Sequence, residues 1–191
     1  MNEPGAPSIT TDETGAVSEY TLTDNTNGVD TSTLNTDINT GFVPFSPNKS
    51  GFEINMKFVD NDITGQTGIT AFNCFTKVSN RYYGFSLQWY GNSNGKRNVW
   101  WVCVYNRTAR MYGNNTMTKA LYVGPYHTTL TTRITYQNDV LTVYADDGTS
   151  SSFTYDAGNV LQNAELYLGG NSIDSYHNAD VQILEFSVKN I

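Results

Sequence analysis

From Val17 onward, apolar and polar residues alternate in short runs separated by clusters of Gly, Asn and Asp. Successive side chains of an extended strand point to opposite faces, so a period of two predicts half-buried β-strands. The runs place strands near residues 18–23, 52–59, 67–77, 82–90, 98–105, 120–123, 130–136, 140–145, 151–155, 164–168 and 180–189. Within 53–59, Ile54, Met56 and Phe58 take one face and Glu53, Asn55 and Lys57 the other. Toward the C-terminus the apolar set is Val181, Ile183 and, past a register change at Leu184, Phe186 and Val188. The run 98–106 (NVWWVCVYN) is apolar on both faces, which predicts a strand covered on both sides or one whose second face meets a ligand. No run of about ten or more residues keeps a helical period between caps.

The separators are turn chemistry. In TTRITYQNDVLTVYADDGTS (Thr131 to Ser150), Asn138-Asp139 splits two alternating runs and Asp147-Gly148 closes the second. About eleven short strands at this spacing predict two antiparallel sheets packed face to face, an all-β sandwich or jelly roll. Residues 1–17, rich in Pro, Gly, Ser and Thr, read as an extended N-terminal arm or linker, and residues 18–191 as one domain.

Composition narrows the function classes. The chain has 191 residues with only 15% charged and a net charge of -7. Phosphate neutralisation needs a basic stripe, so no nucleic-acid partner is expected. No apolar run is long enough to span a membrane, and none is expected to insert. MNEPGAPSITTDETG has neither a basic start nor an apolar stretch, so no secretory signal is read there. That leaves a trimmed chain or one that reaches its place by assembly. Thirteen Tyr, nine Phe and three Trp supply either a sheet core or a stacking surface.

Four segments in order resemble the concanavalin A-like jelly rolls, in particular their laminin G-like branch. INTGFVPFSPNKSGFEINMKF (Ile38 to Phe58) resembles the opening strand, and RITYQNDVLTVYADDG (Arg133 to Gly148) the central hairpin. AELYLGGN (Ala164 to Asn171) resembles the L-x-L-G-G strand, and NADVQILEFSVKNI (Asn178 to Ile191) the closing strand. The resemblance covers about residues 20–191 and implies the two-sheet antiparallel sandwich; it leaves activity open.

Catalytic motifs of related folds are missing. The E-x-D-x-E strand of laminarinase-type glycoside hydrolases, which sets carboxylates on one face, does not occur. Polysaccharide lyases of similar fold carry a Q-[IV]-H strand, and the nearest segment, Leu87-Gln88-Trp89-Tyr90, has no His. His127 and His177 read as structural or surface residues, and two isolated His with two separated Cys give no zinc spacing. Cys74 and Cys103 read as buried thiols; a disulfide would require their strands to be neighbours. Asp60, Asn61 and Asp62, or Asp146 and Asp147, are candidate oxygen ligands for one structural calcium, and the same residues read as ordinary Asp/Asn turns. No other cofactor is expected.

The expected binding surface is the stretch 81–112, which holds all three Trp. Alternation sets Tyr83, Phe85, Leu87 and Trp89 on one face and Tyr82, Gly84, Ser86, Gln88 and Tyr90 on the other. Trp100, Val102 and Val104 read as core, leaving Trp101, Cys103 and Tyr105 for the opposite sheet face. Tyr82, Gln88, Tyr90, Trp101 and Tyr105, with Arg107 and Arg110 nearby, are the candidate ligand residues. Aromatic rings stack on the C–H face of a sugar while amides and guanidinium groups bond its hydroxyls. The leading expectation is a non-catalytic module binding a glycan or glycoconjugate receptor, on a phage or virion appendage or a bacterial surface protein. Alternatives are a virion decoration or fibre-base protein, with a homo-oligomer or virion partner held through the arm, and a polysaccharide-active enzyme of the same fold.

Overall fold

Two antiparallel sheets face each other in the computed structural model, which describes residues 6–23, 29–30, 38–60, 69–78, 81–91, 98–105, 117–124, 129–156, 158–169 and 181–191. Along the chain the strands are β1 (Ser8–Thr11), β2 (Val17–Thr23), β3 (Val29–Asp30), β4 (Ile38–Asn39), β5 (Gly51–Asp60), β6 (Ile69–Val78) and β7 (Arg81–Gly91). Then come β8 (Asn98–Tyr105), β9 (Met117–Gly124), β10 (Thr129–Gln137), β11 (Val140–Tyr144), β12 (Ser150–Thr154), β13 (Tyr167–Leu168) and β14 (Val181–Asn190). The eight-stranded sheet runs β1-β2-β14-β5-β10-β11-β12, with β3 also on β14; the six-stranded sheet runs β4-β13-β6-β7-β8-β9. The expected all-β sandwich is present. Helical structure among the described residues is one short 3-10 turn, Gly158–Val160.

The core lies where alternation put it. Ile54, Met56 and Phe58 are buried, and the register of β14 against β5 shifts between Ile183 and Glu185, at Leu184. That bulge keeps Ile183, Phe186 and Val188 all inward. Asn138 and Asp139 both have positive φ (52° and 59°), and Gln137 pairs with Val140. This is the two-residue turn whose twist matches the flanking strands.

Aromatic rings join the sheets. Phe52 of β5 stacks on Phe85 of β7 with centroids 5.7 Å apart, and Phe72 of β6 meets Phe186 of β14. Phe45, in the segment between β4 and β5, fills one end, edge-on to Phe52, Phe85, Tyr136 and Tyr155. Tyr155, after β12, ties one sheet to the other: its hydroxyl accepts the Gly84 N–H at 3.0 Å and donates to the Gly84 carbonyl at 3.4 Å. Cys74 is a free, buried thiol whose protonated form burial favours. It pairs with Phe85, and Phe85 with Val104, whereas Cys103 pairs with Ser86. The two cysteines therefore lie on opposite faces of strands two apart, beyond disulfide reach.

Part of the expected arm is β1, an edge strand with four exposed residues on β2. Lys49 fastens this hairpin to the body. Its ammonium donates to the Val17 carbonyl at 3.1 Å and sits 3.6 Å from the Phe42 ring centroid. Burial lowers its pKa to about 8, with Asp12 pulling weakly the other way. Between about pH 8 and the unfolded value of about 10.4, the unfolded chain binds the extra proton and the folded chain does not, so this group makes stability rise with pH. Comparing wild type with Lys49→Met by urea unfolding isolates the effect. The difference should move in favour of wild type above about pH 8, by at most about 1.4 kcal/mol per pH unit for one proton. A difference constant with pH would refute it.

Candidate functional site

The segment Asn39–Phe42 and the segment 164–166 hold each other at one edge of the six-stranded sheet. Thr40, itself buried, donates both its N–H (3.1 Å) and its hydroxyl (2.7 Å) to the Leu166 carbonyl. Leu166 returns its N–H to the Phe42 carbonyl at 2.9 Å. Leu166 and Leu168 are fully buried, so alternation sends Glu165 and Tyr167 to the outer face. There Asn39 Nδ2 donates to Glu165 Oε2 at 2.7 Å, and the Tyr167 hydroxyl donates to the same oxygen at 3.2 Å. Asn39 cannot turn freely, because its Oδ1 accepts the Gly41 N–H at 2.8 Å. A carboxylate, a phenol and an amide are thus fixed within hydrogen-bonding distance of one another on partly exposed surface.

Register extends this cluster across the sheet. Asn39, Tyr167 and Asn73 are successive cross-strand partners, followed by Ser86, Cys103 and Thr118. At about 4.8 Å per strand the row spans about 24 Å. Asn73 is fully buried and donates its amide to the Gly169 carbonyl at 2.9 Å. Ser86 and Thr70 on the same face are also buried, and their hydroxyl oxygens have no hydrogen-bond partner. The sequence pattern made Ser86 part of an open face; instead the middle of that face is sealed. The turn after β13 is one cause, since Gly169 bonds both Asn73 and the Ala71 carbonyl there.

The candidate ligand positions of β7 and β8 share the register parity of Ser86, not that of the inward Phe85 and Leu87. Gln88 is directly opposite Trp101 and Thr70, Tyr105 is opposite Gly84, Tyr82 opposite Lys77, and Tyr90 opposite Val99. The topology thus brings Gln88 and Trp101 together, sets Tyr105 further along the same strand, and leaves Tyr82 and Tyr90 toward opposite ends of β7. Arg107 and Arg110 lie outside the described residues, as do Asn61 and Asp62; Asp60 ends β5 opposite Val181. Asp146 accepts the Thr131 N–H at 3.0 Å, and Asp147 accepts the Thr149 N–H at 2.9 Å. Asp146 therefore ties the β11–β12 turn to β10 and Asp147 closes that turn, and among the described residues no three acids, His or Cys gather in one place.

Sequence reasoning did not find Asn39, Glu165 and Tyr167 as a group. The signal available was Glu165 and Tyr167 two apart between inward leucines.

No protein-family model and no curated protein matches the sequence. Solved structures do. An alginate lyase from Pseudomonas aeruginosa is similar over 100% of this chain and 88% of its own, at TM-score 0.58 and 13% identity. A Trypanosoma rangeli sialidase mutant displaying trans-sialidase activity aligns with TM-score 0.60 and 13% identity, over 91% of this chain but 28% of its own. The chain thus spans little more than a quarter of that sialidase. A carbohydrate esterase from the Shiga toxin-encoding bacteriophage phi24B is similar over 98% of this chain and 88% of its own, at TM-score 0.51 and 13% identity. At such identities the likeness is one of fold. These neighbours correct the expectation that the domain is not an enzyme: sandwiches of this shape, two of them nearly coextensive with this chain, carry glycan chemistry.

Proposed function

We propose that the chain is a polysaccharide-active domain of the concanavalin A-like jelly-roll type, with its reaction carried out at the β4–β13 edge of the six-stranded sheet's outer face. The observation that carries the reading is the Glu165–Tyr167–Asn39 cluster, a carboxylate, a phenol and an amide held together on partly exposed surface. Retaining hydrolysis needs a second carboxylate about 5–5.5 Å away. Among the described residues of this face Glu165 stands as a single carboxylate, beside a phenol. One carboxylate base and one phenolic acid suit β-elimination in a uronate polysaccharide. Glu165 takes the proton next to the sugar carboxyl group, that electron pair becomes the C=C bond, the glycosidic C–O bond breaks, and Tyr167 protonates the departing oxygen. Asn39 would bond the sugar carboxylate. The aromatic positions of β7 and β8 would hold flanking rings. The likeness to a phage esterase supports a place on a virion or outside the cell.

Incubation with alginate, pectate and hyaluronan, followed at the absorbance of the unsaturated product, tests this. Glu165→Gln and Tyr167→Phe should each lower turnover by about 100-fold or more, the usual worth of a positioned acid or base, with unchanged urea midpoints. Turnover that survives both substitutions would remove the cluster from the chemistry. Release of reducing ends without unsaturated product would replace elimination by hydrolysis.

A further inference from the structure

The opposite surface of the molecule, the outer face of the eight-stranded sheet, has its own hollow. Register aligns Thr21, Ser187, Asn55, Arg133 and Tyr144 in one cross-strand row, with Glu185 and Lys57 paired in the next. A depression of about 410 Å³ opens over the two rows. The solvated face of an antiparallel sheet is polar in any case, so polarity alone points to nothing. Three particulars do. First, both cations are already answered: Lys57 Nζ lies 3.2 Å from Glu185 Oε1, and Arg133 Nη2 lies 2.7 Å from Glu53 Oε2. Each lining cation thus already has a carboxylate beside it, Glu53 being shared with Lys189 at 3.7 Å. Second, the Thr21 and Ser187 hydroxyls and the Asn55 amide oxygen are half-buried with no protein partner among the described residues. They form a line of short acceptors and donors along the row. Third, the Arg133 guanidinium sits 4.9 Å from the Tyr144 ring centroid, a planar and partly apolar wall at the end of that line.

We infer that this hollow binds a short stretch of neutral glycan. Sugar hydroxyls match a line of hydroxyl and amide groups, and a sugar C–H face matches the Arg133–Tyr144 wall. From Thr21 to Tyr144 the row crosses four strand spacings, about 19 Å, room for a few linked hexose rings. The site lies on the sheet opposite the Glu165 cluster, so its occupancy is read independently of turnover there.

The test is a titration of the ¹⁵N-labelled full chain with cellohexaose, laminarihexaose and maltohexaose, and with an alginate hexasaccharide as the anionic comparison. At least one neutral sugar should give saturable amide shifts at Asn55, Arg133, Tyr144 and Ser187 in the millimolar range. Asn55→Ala and Tyr144→Ala should each weaken that binding by about tenfold, the size of one lost stacking or hydrogen-bonding contact, while amides around Glu165 and Tyr167 keep their positions. No saturable shift in the hollow with any neutral sugar would overturn the assignment. So would binding unchanged by both substitutions, or binding of the alginate fragment alone.

Discussion

Gly84→Ala is expected to leave the protein without a cooperative unfolding transition, or to destabilise it by about 4 kcal/mol or more. Gly84 has φ of +127°, a region that L side chains rarely enter. A Cβ there would lie 1.8 Å from the Cys74 carbonyl oxygen and 2.9 Å from its carbon, both backbone atoms of the neighbouring strand. The collision cannot be relieved by a side-chain rotation; β6 and β7 would have to separate. The Gly84 N–H and carbonyl are both bound to the Tyr155 hydroxyl, so the same movement pulls on the tie between the sheets. Gly148→Ala is the control. Its φ is +79° but nothing lies within 4 Å of the added carbon, so it should cost only about 1 kcal/mol. Urea unfolding of both variants checks the contrast, and similar costs at the two positions would show that the close approach to Cys74 does not matter.

Phe45→Ala should destabilise by about 3–5 kcal/mol, the range for removing a buried aromatic ring. Only 9% of Phe45 is exposed, and its ring meets Tyr136 at 4.9 Å, Phe52 at 5.4 Å, and Phe85 and Tyr155 at 5.8 Å. These four come from both sheets and from the segment after β12, so the void cannot be filled by one neighbour leaning in. Phe45→Leu, which keeps most of the volume and loses the edge-on geometry, should cost roughly half as much. Chemical denaturation measures both. A loss below about 1 kcal/mol for the alanine variant would mean that this end of the sandwich closes over the gap.

The fold was legible because its determinants are local. Period-two alternation marks Ile54, Met56 and Phe58 as one inward face, and the break in alternation at Leu184 is where β14 bulges against β5. Asn138-Asp139 announces its turn through two residue types that tolerate positive φ. The site was less legible because its determinants are not local. Asn39 and Glu165 are 126 positions apart, and only the pairing of β4 with β13 makes them neighbours. β13 is two residues long, with Glu165 just before it, so no acidic strand motif could be read there. Aromatic content drew the sequence reading to 81–112. That stretch does supply the neighbouring strands of the same sheet face, but not the carboxylate–phenol pair.

β14 lies between β2 and β5, in the interior of its sheet and not at the margin. On the ribosome, β2 and β5 must therefore wait for residues 181–190 before either gains its partner on that side. Until then β5 presents an unpaired edge of ten residues, with Phe52, Ile54, Met56 and Phe58 uncovered beside it. Nascent chains interrupted short of those residues should be the species that associate with one another, and yield in expression should track how quickly translation passes that final stretch.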